Sequence, residues 1–332
     1  MLVFDVRNVH EALPKVVQAL LLKKNAVKRN SRNGEVLVFK EPVTTVYRKP
    51  TERVLFYPDR DANPFFHFME SLWMLAGRKD VEMPATYVKN IKNFSDDGIF
   101  FNAAYGHRLI KQYSKNQLKE IIDILKNDPD SRQAVAQIWS HEDLLKNTKD
   151  KPCNLMAVFS INCENKVDMI VYNRSNDIVW GAYGANAVHF SYFHEYVAAG
   201  IGKEVGVYRQ VSNNLHAYLD TLEKVKNIGE YEAINNPYSY PNGLKPFPLV
   251  NSQLEHWELD LKLFMDDAPC STMNDRFFTR VAYPIKAAHK AYKNKKNPKR
   301  FSYAIEIMEQ CLAEDWRKAC IEWLQRREQG AK

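Results

Sequence analysis

Paired cysteines are missing from this sequence. It holds five, at 153, 163, 270, 311 and 320, an odd and unpatterned set without a CxxC pair. That argues against a disulfide framework and against a zinc site, so no metal is expected, and it fits a reducing cytoplasm. Long apolar runs are missing too. Hydrophobic residues make up 45% of the 332, but they are dispersed. No window reaches the roughly 18 apolar residues that a membrane span needs. The opening Met1-Leu-Val-Phe-Asp-Val-Arg7 lacks a basic segment with an apolar core behind it, so no signal peptide is expected. Internal repeats and low-complexity tracts are absent. So is a basic helix with interleaved aromatics, and nucleic-acid contact is not expected. The length allows one large domain or two smaller ones.

What is present is a modest basic excess, 47 Lys and Arg against 40 Asp and Glu, for a net charge of +7. Its clusters, at 23–32 and 290–300, suit solvated faces or the attraction of anionic nucleotides or folates. The densest polar stretch is Asn173-Arg-Ser-Asn-Asp-Ile-Val-Trp-Gly-Ala-Tyr-Gly-Ala-Asn186. The run before it alternates as a half-buried strand, and the run after it has helical apolar spacing. A guanidinium, small polar donors, a carboxylate and a carboxamide at one strand end suit a phosphorylated, hydrogen-bonding ligand. The alternative is a polar turn.

Residues 8–27 read as an amphipathic helix. Lys28-Arg-Asn-Ser-Arg-Asn-Gly34 is a basic loop before a strand at 35–39, suited either to an anion or to a hairpin turn. Asn63-Pro64 opens a helix that is apolar nearly all round and stops at Gly77. Glu70 sits in its middle. An unpaired buried carboxylate costs several kcal/mol, so Glu70 either faces a cavity as a catalytic group or pairs with an arginine. Residues 81–101 are irregular. A helix at 116–126, a strand at 133–139 and a strand pair at 156–162 and 166–172 follow. Cys153 opens that pair behind Pro152. Lys151 beside it, with Arg132 and Arg174 flanking its strands, predicts a lowered thiol pKa. A helix at 187–201 and a strand at 205–211 lead to His216 and Tyr218, which share one strand face. They suit a sugar hydroxyl or a structural pair equally. Residues 229–253 read as a long loop, and the chain from about 273 is helical.

Together these motifs resemble, in order, those of the thymidylate synthase family, which includes deoxyuridylate and deoxycytidylate hydroxymethylases. The resemblance covers roughly residues 30–225. Ser31-Arg32-Asn33-Gly34 looks like the phosphate-loop arginine motif, and Glu70-Ser-Leu-Trp-Met-Leu-Ala-Gly77 like the catalytic-glutamate helix. Tyr105-Gly106 matches the active-site tyrosine, and Pro152-Cys153 the nucleophile. Asp130-Ser-Arg132 is similar to the segment that reaches the partner subunit's nucleotide phosphate. Arg174-Ser175-Asn-Asp177 resembles the motif whose Arg and Ser bind phosphate and whose Asp contacts folate. His216-Ala-Tyr218 resembles the motif that holds the ribose hydroxyl.

The resemblance implies an α+β fold, a mixed sheet layered with helices, in a catalytic domain at 1–260 with a helical extension at 261–332. It implies a homodimer and 5,10-methylenetetrahydrofolate as co-substrate. In the implied chemistry Cys153 adds to C6 of a pyrimidine nucleotide, C5 takes the one-carbon unit, and Glu70 and Tyr105 assist proton movement.

Departures from the pattern bear on the outcome. Gln133 replaces a second arginine. The base-reading carboxamide, Asn186, comes one residue late, and an Asn there suits uracil. Neither the family's folate-packing tryptophan nor its apolar C-terminal lid has an equivalent. A less closed pocket favours water over hydride at the transferred carbon. Hydroxymethylation of dUMP is therefore expected, with thymidylate synthesis, dCMP hydroxymethylation, a silent nucleotide or RNA binder and a Cys-His hydrolase as alternatives.

Overall fold

A computed structural model describes residues 1–230, 235–239, 241 and 243–331. Alternating apolar patterns pair into two mixed sheets. The larger has the order β1 (Leu2–Val6), β4 (Val43–Tyr47), β9 (Val205–Ser212), β7 (Val167–Asn173), β6 (Asn154–Ile161), β5 (Val135–Gln137). Pairs β1/β4 and β7/β9 are parallel and the others antiparallel. The smaller sheet runs β2 (Ala26–Ser31), β3 (Gly34–Phe39), β10 (Leu215–Tyr218), β8 (Asn176–Asp177). Burial alternates strictly along β9, so one face of the larger sheet meets the core and the other is more open.

The helices are α1 (Val9–Leu21), α2 (Pro64–Leu75), α3 (Glu82–Tyr87), α4 (Tyr105–Ile110), α5 (Gln117–Asn127) and α6 (Glu142–Leu145). After the second strand pair come α7 (Asn186–Ile201), α8 (Leu219–Val225), α9 (Leu254–Met265), α10 (Tyr283–Lys293), α11 (Arg300–Glu309) and α12 (Glu314–Gln329). The mixed α+β architecture is the expected one. Two local expectations are corrected. The first helix ends at Leu21, not near 27. Of the two readings of the basic segment 28–34, the hairpin turn holds: it lies in the β2–β3 hairpin, closing where Ser31 pairs with Gly34 at φ +123°. Pairing with β3 satisfies the backbone groups of residues 26–31 without a helix. The strand expected at 133–139 keeps only Val135–Gln137. Of the loop expected at 229–253, residues 231–234, 240 and 242 lie outside the described residues, as does Lys332. A division between 260 and 261 would cut α9.

Helix α2 lies at the centre. Asn63 caps it by accepting from the Phe66 N–H, and Pro64 occupies the first turn. Aromatic residues are indifferent helix formers, so packing holds this helix in place. On one side Phe68 meets Tyr192 of α7 edge-on, with centroids 6.2 Å apart. On the other, Phe68 meets Trp316 of α12 at 5.2 Å and Phe277 at 5.7 Å, and Phe65 meets Trp323 at 5.6 Å. Each large apolar side chain so buried contributes roughly 2 kcal/mol. The C-terminal helices are thus one wall of the pocket that holds α2, and a single apolar cluster runs through both parts of the chain.

Asp315, in the first turn of α12, is a second tie. Its Oδ2 accepts from the Tyr238 hydroxyl at 3.0 Å, and that hydroxyl accepts from the Val54 N–H at 3.2 Å. Burial raises its pKa from 3.8 to about 6. A carboxyl whose folded pKa is raised adds stability below its unfolded pKa and loses it as pH rises through the folded one. Asp315→Asn, which cannot ionise, should therefore gain on the native protein between about pH 4 and pH 7, by up to roughly 3 kcal/mol. Paired thermal melts across that range measure it; a constant difference would contradict it.

Candidate active site

Four chain segments carry the candidate residues, and the first is the strap before β6. Cys153 is half-buried there. Its backbone N–H donates to the Tyr105 hydroxyl at 3.4 Å, and its carbonyl accepts from the Arg174 N–H at 2.9 Å. The Arg174 side chain holds the same strap, donating to the carbonyls of Pro152 at 2.9 Å and Lys151 at 3.2 Å, with its guanidinium 5.5 Å from the Trp139 ring. Arg32, from the β2–β3 hairpin, donates to the Lys149 carbonyl at 3.2 Å. Two arginines from different sheets thus converge on five residues around the thiol.

The expectation of a lowered thiol pKa is corrected. Burial pushes the Cys153 pKa up and the Asp150 carboxylate adds to that; Arg174 and Arg32 pull it down without prevailing. The Tyr105 phenol is raised as well, by burial and by the neighbouring Cys153 and Asp150. Both groups are therefore protonated at neutral pH in the free protein. Tyr105 reaches the Cys153 backbone from α4, which lies tightly on α2. A Cβ on Gly106 would stand 1.9 Å from the Met74 carbonyl oxygen, so only glycine fits behind the tyrosine.

The second segment is α2. Within it only Phe66 and Glu70 are not fully buried. Among the described residues Glu70 meets a histidine where an arginine was the expected alternative. Its Oε2 lies 3.1 Å from Nε2 of the buried His189 on α7. The two atoms are in contact without hydrogen-bond alignment, and Nε2 has no aligned partner among the described residues.

The third segment is the polar stretch from 173 to 186. Arg174 and the half-buried Ser175 follow β7, and Asn176 and Asp177 form β8. Residues Ile178–Ala185 then make a wide π-type turn, broken at Tyr183 and Gly184, in which the Asn186 N–H donates to the Gly181 carbonyl. A turn of this width takes up one extra residue. It returns Asn186 to the start of α7, buried, with Nδ2 donating to Asn176 Oδ1 at 3.0 Å. Gly181 is the neighbour of this amide pair: a Cβ there would lie 2.7 Å from Asn176 Oδ1. Asp177 Oδ1 accepts from the Trp180 N–H at 2.5 Å, and its buried Oδ2 has no aligned partner among the described residues. Burial raises its pKa, opposed by His216 and Arg60.

The fourth segment is β10. His216 donates through its Nδ1–H to Asn214 Oδ1 at 2.9 Å and meets the Tyr218 ring edge-on at 5.5 Å. Burial lowers its pKa while Asp177 raises it. Arg132 stands apart from the cluster, exposed on the turn between α5 and β5.

Residues 52–241 match the family model described as Thymidylate synthase. The chain belongs to the thymidylate synthase family. It is 48% identical over 334 residues to the deoxyuridylate hydroxymethyltransferase of Pseudomonas phage M6, across 98% of this chain and 95% of that protein. The deoxyuridylate hydroxymethyltransferase of Bacillus phage SP01 is 45% identical over 191 residues, 54% of this chain and 50% of that one. A putative thymidylate synthase of Methanosarcina mazei is 36% identical over 129 residues, 39% of this chain and 58% of its own.

Among the thymidylate synthase motifs the structure adds residues that sequence reading passed over. His189 follows Asn186 by three positions on a helix face, a spacing that could have flagged it. Asn176 was visible as the variable position of its motif. Asp150 lies in the strap itself. Arg60 carried no signal: its Nε donates at 2.6 Å to the Val179 carbonyl, 119 residues away in sequence, and its guanidinium lies 4.8 Å from the Trp180 ring.

Because the Cys153 thiol is half-buried and its pKa raised, iodoacetamide at about pH 8 should alkylate it several-fold more slowly than the exposed Cys163. Arg174→Gln, which removes the group that pulls the pKa down, should slow it further. Peptide mass spectrometry measures both rates, and equal alkylation of the two cysteines would contradict the assignment.

Proposed function

We propose that this chain catalyses folate-dependent hydroxymethylation of dUMP at C5, yielding 5-hydroxymethyl-dUMP. The likeness over nearly its whole length to a phage deoxyuridylate hydroxymethyltransferase carries this reading. The placement of Tyr105 beside Cys153, of His216 beside Asp177, of Asn176 beside Asn186 and of His189 beside Glu70 supports it.

In the proposed reaction, Arg32, Arg174 and Ser175 hold the phosphate, with Arg132 of a second copy completing the site. His216 and Tyr218 hold the ribose hydroxyl, and Asn186 donates to O4 and accepts from N3–H of uracil. An arriving phosphate would draw Arg32 and Arg174 from the strap carbonyls toward the ligand. Cys153, losing its proton, adds to C6, and the electron pair moves through C5 to O4. Tyr105, fixed over Cys153, assists removal of the C5 proton, and Glu70 moves protons at the ring through water.

The residues fit a folate co-substrate. Asp177 Oδ2 and Arg60 Nη2 are buried polar atoms without aligned partners among the described residues, and Trp180 exposes its ring beside them. Methylenetetrahydrofolate, when bound there, supplies the one-carbon unit that C5 accepts. Asp177 and Arg60 would hold it, and Trp180 would pack on it.

A homodimer is part of the same reading. The open face of the larger sheet pairs Met156 with Tyr172, each 37% exposed, and Val158 with Ile170, beside Val211. Such a half-apolar sheet face suits burial against a second copy. The helices after residue 260 are taken as an extension packed on the catalytic core. The free cysteines and phage relatives favour the host cytoplasm.

Incubation with dUMP and methylenetetrahydrofolate should give 5-hydroxymethyl-dUMP and tetrahydrofolate by mass spectrometry. Cys153→Ala should abolish both product and release of the C5 hydrogen. Thymidylate with stoichiometric dihydrofolate would overturn hydration as the outcome. Asn186→Asp should cut kcat/KM for dUMP by roughly 100-fold and raise that for dCMP, because a protonated carboxyl complements cytosine where a carboxamide complements uracil. An unchanged preference would remove Asn186 from base recognition.

A further inference from the structure

The contact between Glu70 and His189 is not accounted for by the roles above. Asn186 and His189 are three residues apart at the start of α7 and so share one helix face. That face puts the imidazole between the base-reading carboxamide and the one carboxylate of α2. His189 is 4% exposed and Glu70 14%, so little water competes for either. The His67 ring, from α2, stands perpendicular to His189 at 6.4 Å. A carboxylate oxygen and an imidazole nitrogen 3.1 Å apart, unaligned in the free protein, need only a small rotation to make a hydrogen bond.

We propose that His189 is a positioning residue for Glu70 and takes up, through that carboxylate, the proton released when water adds to the C5 methylene. The proposal rests on the hydroxymethylation reading. In this step the water oxygen bonds to the exocyclic methylene carbon. The methylene π pair moves into the ring and onto the C4 oxygen. The water proton passes to Glu70 and on to His189, which restores the carboxylate. The C4 enolate then collapses, C5=C6 reforms, and the Cys153 thiolate leaves C6 with its electron pair. The balance closes when that thiolate regains a proton. No oxidant or reductant enters.

A thiolate tests the step because it attacks the same methylene already deprotonated and needs no proton acceptor. The purified full-length protein would be given 5-tritiated dUMP, methylenetetrahydrofolate and 2-mercaptoethanol. Tritium release counts the turnovers that reach the methylene. Mass spectrometry then divides them into hydroxymethyl product and thioether adduct. His189→Leu should lower the hydroxymethyl-to-thioether ratio on the order of 100-fold. His189→Gln should lower it as well, since an amide can hold Glu70 but cannot take its proton. A ratio equal to the unsubstituted protein's in a folded His189→Gln variant overturns the proposal, whatever happens to the total rate. Failure of the unsubstituted protein to make any hydroxymethyl product overturns the hydroxymethylation reading itself, and the proposal with it.

Discussion

A glutamate in the middle of an apolar helix is the constraint on which this structure depends. Helix α2 buries ten of its side chains and leaves Glu70 at the one opening with Phe66. The helix is poorly disposed to form alone, and its position comes from rings on both sides: Tyr192 of α7, Phe277, and Trp316 and Trp323 of α12. Moving any of these walls moves the carboxylate. The C-terminal helices are therefore mechanically part of the site, though none of their residues belongs to the site's chemical cluster.

Electrostatics at the nucleophile follow a different logic. The arginines that would hold a phosphate are engaged with strap carbonyls in the free protein, and the thiol is raised by burial. Low dielectric disfavours a thiolate more than two partly engaged guanidinium groups favour it. A half-buried, protonated thiol is guarded from adventitious oxidation. In the proposed reaction, a bound phosphate that drew those arginines from the strap would change this balance.

The wide turn before α7 joins these two parts. One extra residue between Asp177 and Asn186 would swing the carboxamide out of a regular helix. The π-type turn absorbs it and delivers Asn186 to Asn176 Oδ1. Gly181 keeps the space beside that pair open. The same turn sets the start of α7 and so aims His189 at Glu70.

Much of this was legible in the sequence because it is carried by local pattern. Two-residue alternation marked β6, β7 and β9, Asn-Pro and Gly marked the ends of α2, and the ordered motifs marked the segments that carry Cys153, Glu70, Arg32 and Arg174. These depend on residues a few positions apart, which one chain displays directly. What only the tertiary structure decided depends on distance through space. The sign of the Cys153 shift is a contest between burial and charge, and burial cannot be counted from neighbours in sequence. The Glu70 partner proved to be a histidine on another helix, and Arg60 met the site across more than a hundred residues. Such pairings arise when elements pack, and a linear pattern does not contain the packing.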